Sequence, residues 1–207
     1  MKNSEPLIQI FCRAPVIGQV KTRLIPAVGA LAAYQLHKKM LTRVIDELSV
    51  IPYMVELWIS PNKDHSFFEP YRLPKFNQTG GDLGRRMHAA LNSGLTRHES
   101  VILLGTDLPL IDASYLALAV NALQQYELVF GPVEDGGYGL LGVRESLPEI
   151  FSDIDWGTDR VLSQSCDKLK REGCGFRLLP LIWDVDRPED LPRYEAWLKS
   201  RGKAPKK

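Results

Sequence analysis

The residues best suited to chemistry cluster in two short stretches and two glycine-rich loops. Phe11-Cys12-Arg13-Ala14-Pro15 is followed by Gly18 and by Val20-Lys21-Thr22-Arg23-Leu24, so Arg13, Lys21 and Arg23 share one loop stiffened by Pro15 and loosened by Gly18. Arginine offers a bidentate fork and lysine a compact charge, a combination that suits diphosphate or triphosphate oxygens. Further on, Gly105-Thr106-Asp107-Leu108-Pro109 follows the apolar run Val101 to Leu104. A carboxylate at the end of a buried strand is held rigidly, and Mg²⁺ is commonly bound by one or two carboxylates plus substrate phosphates. Asp107 is therefore the first candidate metal ligand.

A second carboxylate comes from Asp184-Val185-Asp186-Arg187-Pro188. Asp184 and Asp186 fall on the same side of an extended chain, and the spacing before Pro188 favours Asp186. Asp153-Ile154-Asp155 reads as surface. Of the glycine-rich loops, Gly80-Gly81-Asp82-Leu83-Gly84-Arg85-Arg86 opens a helix, where amide groups point outward at a ligand. Glu134-Asp135-Gly136-Gly137-Tyr138 is a tight turn, open to a plain hairpin reading as much as to substrate contact.

Three tempting matches fail. Gly137-Tyr138-Gly139-Leu140-Leu141-Gly142 fits G-x-G-x-x-G, but that pattern needs glycines opening a helix and these residues read as a strand. Lys21-Thr22 resembles the end of a P-loop, yet Val20 stands where glycine is needed and Pro26 should block the following helix. His37, His65, His88 and His98 are scattered and read as surface or helix-face residues.

These loops need a frame. Leu7 to Phe11, Met54 to Ile59, Val101 to Leu104, Leu128 to Phe130, Tyr138 to Val143 and Phe176 to Trp183 read as strands. Helical spacing links Leu36, Met40, Leu41, Val44, Ile45 and Leu48. Further helices are expected after Asp82, from Asp112 to about Gln125, from a cap at Thr158 to Gly173, and from Pro188. Such alternation predicts an α/β fold: one three-layer domain, residues 1–198, with a largely parallel central sheet. In such sheets ligands bind where the strands' carboxyl ends open into loops.

Composition agrees with an ordinary globular protein. The 207 residues carry a net charge of +1, with 44% hydrophobic and 25% charged residues, so no global field draws the chain to nucleic acid. Residues 199–207 form a basic tail expected to be disordered. Cys12, Cys166 and Cys174 form no C-x-x-C pair, and no stretch reaches the ~20 apolar residues of a membrane span. A cytoplasmic location with no membrane partner is expected.

In order, the motifs FxRAPxxGxVKTRL, GGDLGxRM, GTDLP, EDGGYxLxG, DWGTxxVL and DVDxPEDL resemble the nucleotide-diphospho-sugar transferase-like proteins also called radical-SAM/selenodomain-associated transferases. The likeness runs from about Ile10 to Leu191, and members commonly carry a provisional glycosyltransferase label. It implies a GT-A type fold. It further implies Mg²⁺ (or Mn²⁺) on Asp107 and Asp186, phosphate contacts from Lys21 and Arg23, and Lys21 and Asp107 as catalytic residues. Asp82, Arg86 and the turn Asp135-Gly136-Gly137 with Tyr138 would belong to the nucleotide and acceptor pockets. Arg13 stands where the family often has lysine, and Arg187 replaces a threonine that would cap a helix.

Two reactions suit these parts: nucleotidyl transfer from a nucleoside triphosphate to a small acceptor with loss of pyrophosphate, or glycosyl transfer from a sugar nucleotide. The three-cation loop favours the first and the family label the second. A nucleotide-binding regulator without turnover is a third class.

Overall fold

In the computed structural model, which describes residues 2–201, a seven-stranded sheet is covered by helices on both faces. The strands are β1 (Leu7–Arg13), β2 (Met54–Ser60), β3 (Lys75–Asn77), β4 (Val101–Leu104), β5 (Leu128–Pro132), β6 (Tyr138–Val143) and β7 (Phe176–Leu178). The helices are α1 (Ile25–Val28), α2 (Ala30–Leu48), α3 (Leu83–Leu95), α4 (Ala113–Ala122), α5 (Val161–Glu172) and α6 (Leu191–Arg201). The sheet order is β3-β2-β1-β4-β6-β5-β7, and only β6 runs against its neighbours. The carboxyl ends of β1, β4 and β5 therefore open at the same edge as the start of β6.

Period-two alternation divides the core. Ile8, Ile10 and Cys12 of β1 face a layer that includes Leu41, Val44 and Ile45 of α2 and Leu116 of α4. Leu7 faces the opposite layer, with Met87, Ala90 and Leu91 of α3 and Cys166 and Leu169 of α5. Every residue of β4 is buried, as a central strand sandwiched between two helical layers must be. A smaller cluster of Met40, Trp183, Val185 and Tyr194 seats α6 against the α2 side. That packing fixes the Asp184–Asp186 segment over the sheet edge.

Local rules set the helix ends. Asp82 caps α3, its Oδ1 accepting from Arg85 N at 2.8 Å, and Asp112 caps α4 through Tyr115 N at 2.9 Å. Gly173 closes α5 in the left-handed conformation at φ 70°. Some expectations need correcting. Helix α5 begins at Val161 with Arg160 at its cap, and Thr158 instead belongs to the preceding turn. Pro26 does not block a helix but lies in the first turn of α1, where its missing N–H costs nothing. The last strand ends at Leu178 because Pro180 interrupts it, and pairing resumes only as a bridge between Ile182 and Val133. Lys199 and Arg201 of the expected tail belong to α6, and residues 202–207 lie outside the described residues. Among the described residues no helix is long and apolar enough to cross a membrane.

Candidate active site

A cavity of about 440 Å³ opens at the functional edge of the sheet. It is lined by Arg13 from the end of β1, Asp107 beyond β4, Asp135 and Gly137 of the β5–β6 turn, Tyr138 of β6 and Arg86 of α3. Asp184, from the segment that returns beside the Asp107 loop, lines it too.

The floor is stitched by polar contacts between distant parts of the chain. Lys21 lies behind the lining residues rather than among them: its backbone is left-handed at φ 48° and its side chain is only 2% exposed. Its Nζ lies 2.9 Å from Asp107 Oδ1, a close approach of opposite charges, while its hydrogen bond goes to the Val185 carbonyl. Val185 N in turn donates to the Asp107 carbonyl at 3.0 Å. Next to it, Leu108 packs so closely on Gly139 that any Cβ there would lie 2.2 Å from Leu108 Cδ1. Gly139 and Gly142 of the failed G-x-G-x-x-G match thus serve close packing within a strand.

Arg23 and Asp186 do not line the cavity. They form an exposed ion pair with each other, and Asp186 N and Arg187 N both donate to Asp190 Oδ2. Asp190 so supplies the helix-start contacts that Arg187 does not. Asp184, not Asp186, faces the cavity. Burial together with the charges of Asp135, Asp186 and Asp190 pushes its carboxyl up to about 6, with Lys21 opposing. Asp82 serves as the α3 cap and Gly136 supports the turn from behind; neither lines the cavity. Arg86 is held by Gln78, whose amide nitrogen donates to the Cys12 and Trp58 carbonyls at 3.0 Å each.

Several lining residues escaped the sequence reading. His37, on a face of α2, is buried and lines the cavity with its Nε2 donating to the Arg13 carbonyl at 2.9 Å. Burial lowers its pKa, since a charged ring is disfavoured there. His98 is also buried, bonded to the Glu5 carbonyl. Trp156 closes one wall, its ring edge-on to Tyr138 with centroids 6.4 Å apart and lying against Gly84. The DWGT run was the available signal, but nothing in its spacing assigns Trp156 a role.

Asp107 and Asp184 both bring hard oxygen donors to the lining of one cavity. Carboxylate oxygens are the donor type that Mg²⁺ and Mn²⁺ take.

A mostly parallel sheet with one reversed strand, and a cavity at its carboxyl edge, define the fold of nucleotide-diphospho-sugar transferase-like proteins. The chain belongs to the family described as "uncharacterized protein conserved in bacteria" (DUF2064), whose profile matches residues 47–158. A protein of Desulfovibrio desulfuricans G20, a candidate nucleotide-diphospho-sugar transferase, is similar at 28% identity with TM-score 0.86, covering 96% of each chain. The CMP:2-keto-3-deoxy-manno-octonic acid synthetase complexed with CTP shares the fold at 12% identity and TM-score 0.63, covering 96% of this chain and all of that one. So does the 4-diphosphocytidyl-2C-methyl-D-erythritol synthase of Anaerococcus prevotii DSM 20548, at 12% identity and TM-score 0.63, covering 95% and 96%. A search of curated proteins finds no match.

Proposed function

We propose that this protein transfers a nucleotidyl group from a nucleoside triphosphate to a small acceptor, with release of pyrophosphate. The observation that supports the reading is the approach of Lys21 to Asp107 at 2.9 Å, which sets a cation of the β1 loop beside the candidate metal-binding carboxylate. Arg13 and Arg86 line the cavity with no ion-pair partner among the described residues, so the charge of each, Arg86 held in place by Gln78, is available to phosphate oxygens. Their charge, with that of Lys21, would stabilise the departing pyrophosphate. Asp107 and Asp184 would hold a divalent metal, which when bound neutralises phosphate charge and polarises the phosphorus–oxygen bonds. The Trp156 and Tyr138 wall would exclude water that otherwise competes with the acceptor. A neighbour of this fold that is complexed with CTP supports the same reading.

One observation favours glycosyl transfer instead. Arg23 is committed to Asp186 away from the cavity, which leaves fewer cations than the loop's composition suggests and suits a diphosphate donor. A thermal-shift screen of nucleoside triphosphates against sugar nucleotides, with and without Mg²⁺, separates the two. Nucleotidyl transfer predicts Mg²⁺-dependent stabilisation by a triphosphate, followed by acceptor-dependent pyrophosphate release. Stabilisation by sugar nucleotides alone would overturn it. Triphosphate binding that yields no product with any acceptor would point to a regulator.

A further inference from the structure

Asp107 already has a cation. Lys21 reaches it from inside the protein, with its side chain almost fully buried and that of Asp107 45% exposed. The Val185 carbonyl takes the ammonium's hydrogen bond, and the left-handed backbone at Lys21 holds the side chain in that direction. A free divalent ion arriving at Asp107 would meet this ammonium. Bound through the exposed Oδ2, it would share one carboxylate with an ammonium already held against the buried Oδ1, and two positive charges at that distance repel at a high cost. A metal that brings phosphate also brings anionic oxygens to which Lys21 can turn. Every charge then keeps a partner.

We infer that Lys21 is a resident counter-ion of Asp107 that makes the site take a divalent metal together with phosphate and resist the free ion. The inference rests on the metal-and-phosphate part of the proposed function and goes beyond it by defining the binding unit as the metal–phosphate complex. Phosphate and metal binding are then reciprocally coupled through one side chain.

The test uses the full chain. Mn²⁺ alone is titrated by electron paramagnetic resonance against wild type and Lys21→Met, and again with excess pyrophosphate. Without pyrophosphate, Lys21→Met should bind Mn²⁺ about tenfold more tightly than wild type; with it, the order should reverse. An unchanged or weaker Mn²⁺ affinity in a folded Lys21→Met protein overturns the inference. Because Lys21 is buried, Asp107→Asn gives a second reading on an exposed carboxylate. In metal-free buffer it should bind pyrophosphate about fivefold more tightly by calorimetry, a gain absent from the Lys21→Met/Asp107→Asn protein. No gain in Asp107→Asn also overturns it. If Lys21→Met gains Mn²⁺ affinity but wild type binds no nucleoside triphosphate, the counter-ion stands and nucleotidyl transfer falls. If no protein binds Mn²⁺ under either condition, both fall.

Discussion

Asp184 shows how a single carboxyl records the character of the site. Burial is the main force against its charge, its neighbours Asp135, Asp186 and Asp190 add to that, and Lys21 only partly offsets them. The folded protein therefore holds the Asp184 proton to about pH 6, whereas an unfolded chain releases it near ~3.9. Between those values the native state binds more protons, so stability falls as pH rises through the window and stays lower above it. Allowing for partial exposure of the side chain, the loss is about 1–2 kcal/mol by pH 8. Asp184→Asn removes it. In EDTA, urea unfolding should find the variant more stable than wild type at pH 8 and equal to it at pH 4. The same difference at both pH values would refute the account. Along an extended chain Asp184 and Asp186 were equivalent, and the preference for Asp186 rested on its distance from Pro188. What separates them is Arg23, which pairs with Asp186 across the fold, a contact that no local spacing encodes. The same limit hid the role of His37: spacing allows it a helix face but does not reveal that the Arg13 carbonyl at the end of β1 meets it there.

At the scale of elements, the wall opposite Lys21 is built from the β5–β6 turn and the irregular segment 152–160 before α5. Gly136, at φ 85°, is the joint: a Cβ there would lie 2.1 Å from the Asp159 carbonyl oxygen, and Leu162 N donates to the Gly136 carbonyl at 3.0 Å. Asp155 ties the same segment down through Arg160 and Gln164. Gly136→Ala meets both a left-handed backbone and a backbone clash, together costing about 2–4 kcal/mol. For a chain of this size the melting temperature should drop by roughly 5–15 °C by calorimetry. A variant that melts with wild type would mean that the segment is free to move off the turn. Elements with a strong period were legible: α2 from its apolar spacing, β4 from its unbroken apolar run, the start of α3 from Asp82. The 152–160 segment has no period, and its place is set by contacts with residues far along the chain. Its role as a wall was therefore not readable, although its residues were conspicuous.

Across the whole molecule, the cavity joins parts of the chain that are distant in sequence. Lys21 and Val185 are 164 residues apart and meet through one hydrogen bond, and the Asp107 loop lies between them. The alternation of strands and helices foretold that loops would gather at one edge, since parallel crossovers return every strand to the same side. The reversed β6 adds the Asp135 turn to that gathering. A ligand that fills the cavity must then bridge the β1–α2 side and the β5–α5 side together. At a concentration 100 times its Kd, such a ligand contributes about 2.7 kcal/mol, or roughly 5–10 °C in melting temperature for a domain of about 200 residues. Hydrogen exchange with and without Mg²⁺ and the best triphosphate from the screen should show protection in both 14–24 and 152–160. Phosphates held by Arg13 and Lys21 account for the first segment, and closure of the Trp156 wall for the second. Protection confined to 14–24 would mean that the donor occupies only the cation side and that the Trp156 wall waits for the acceptor.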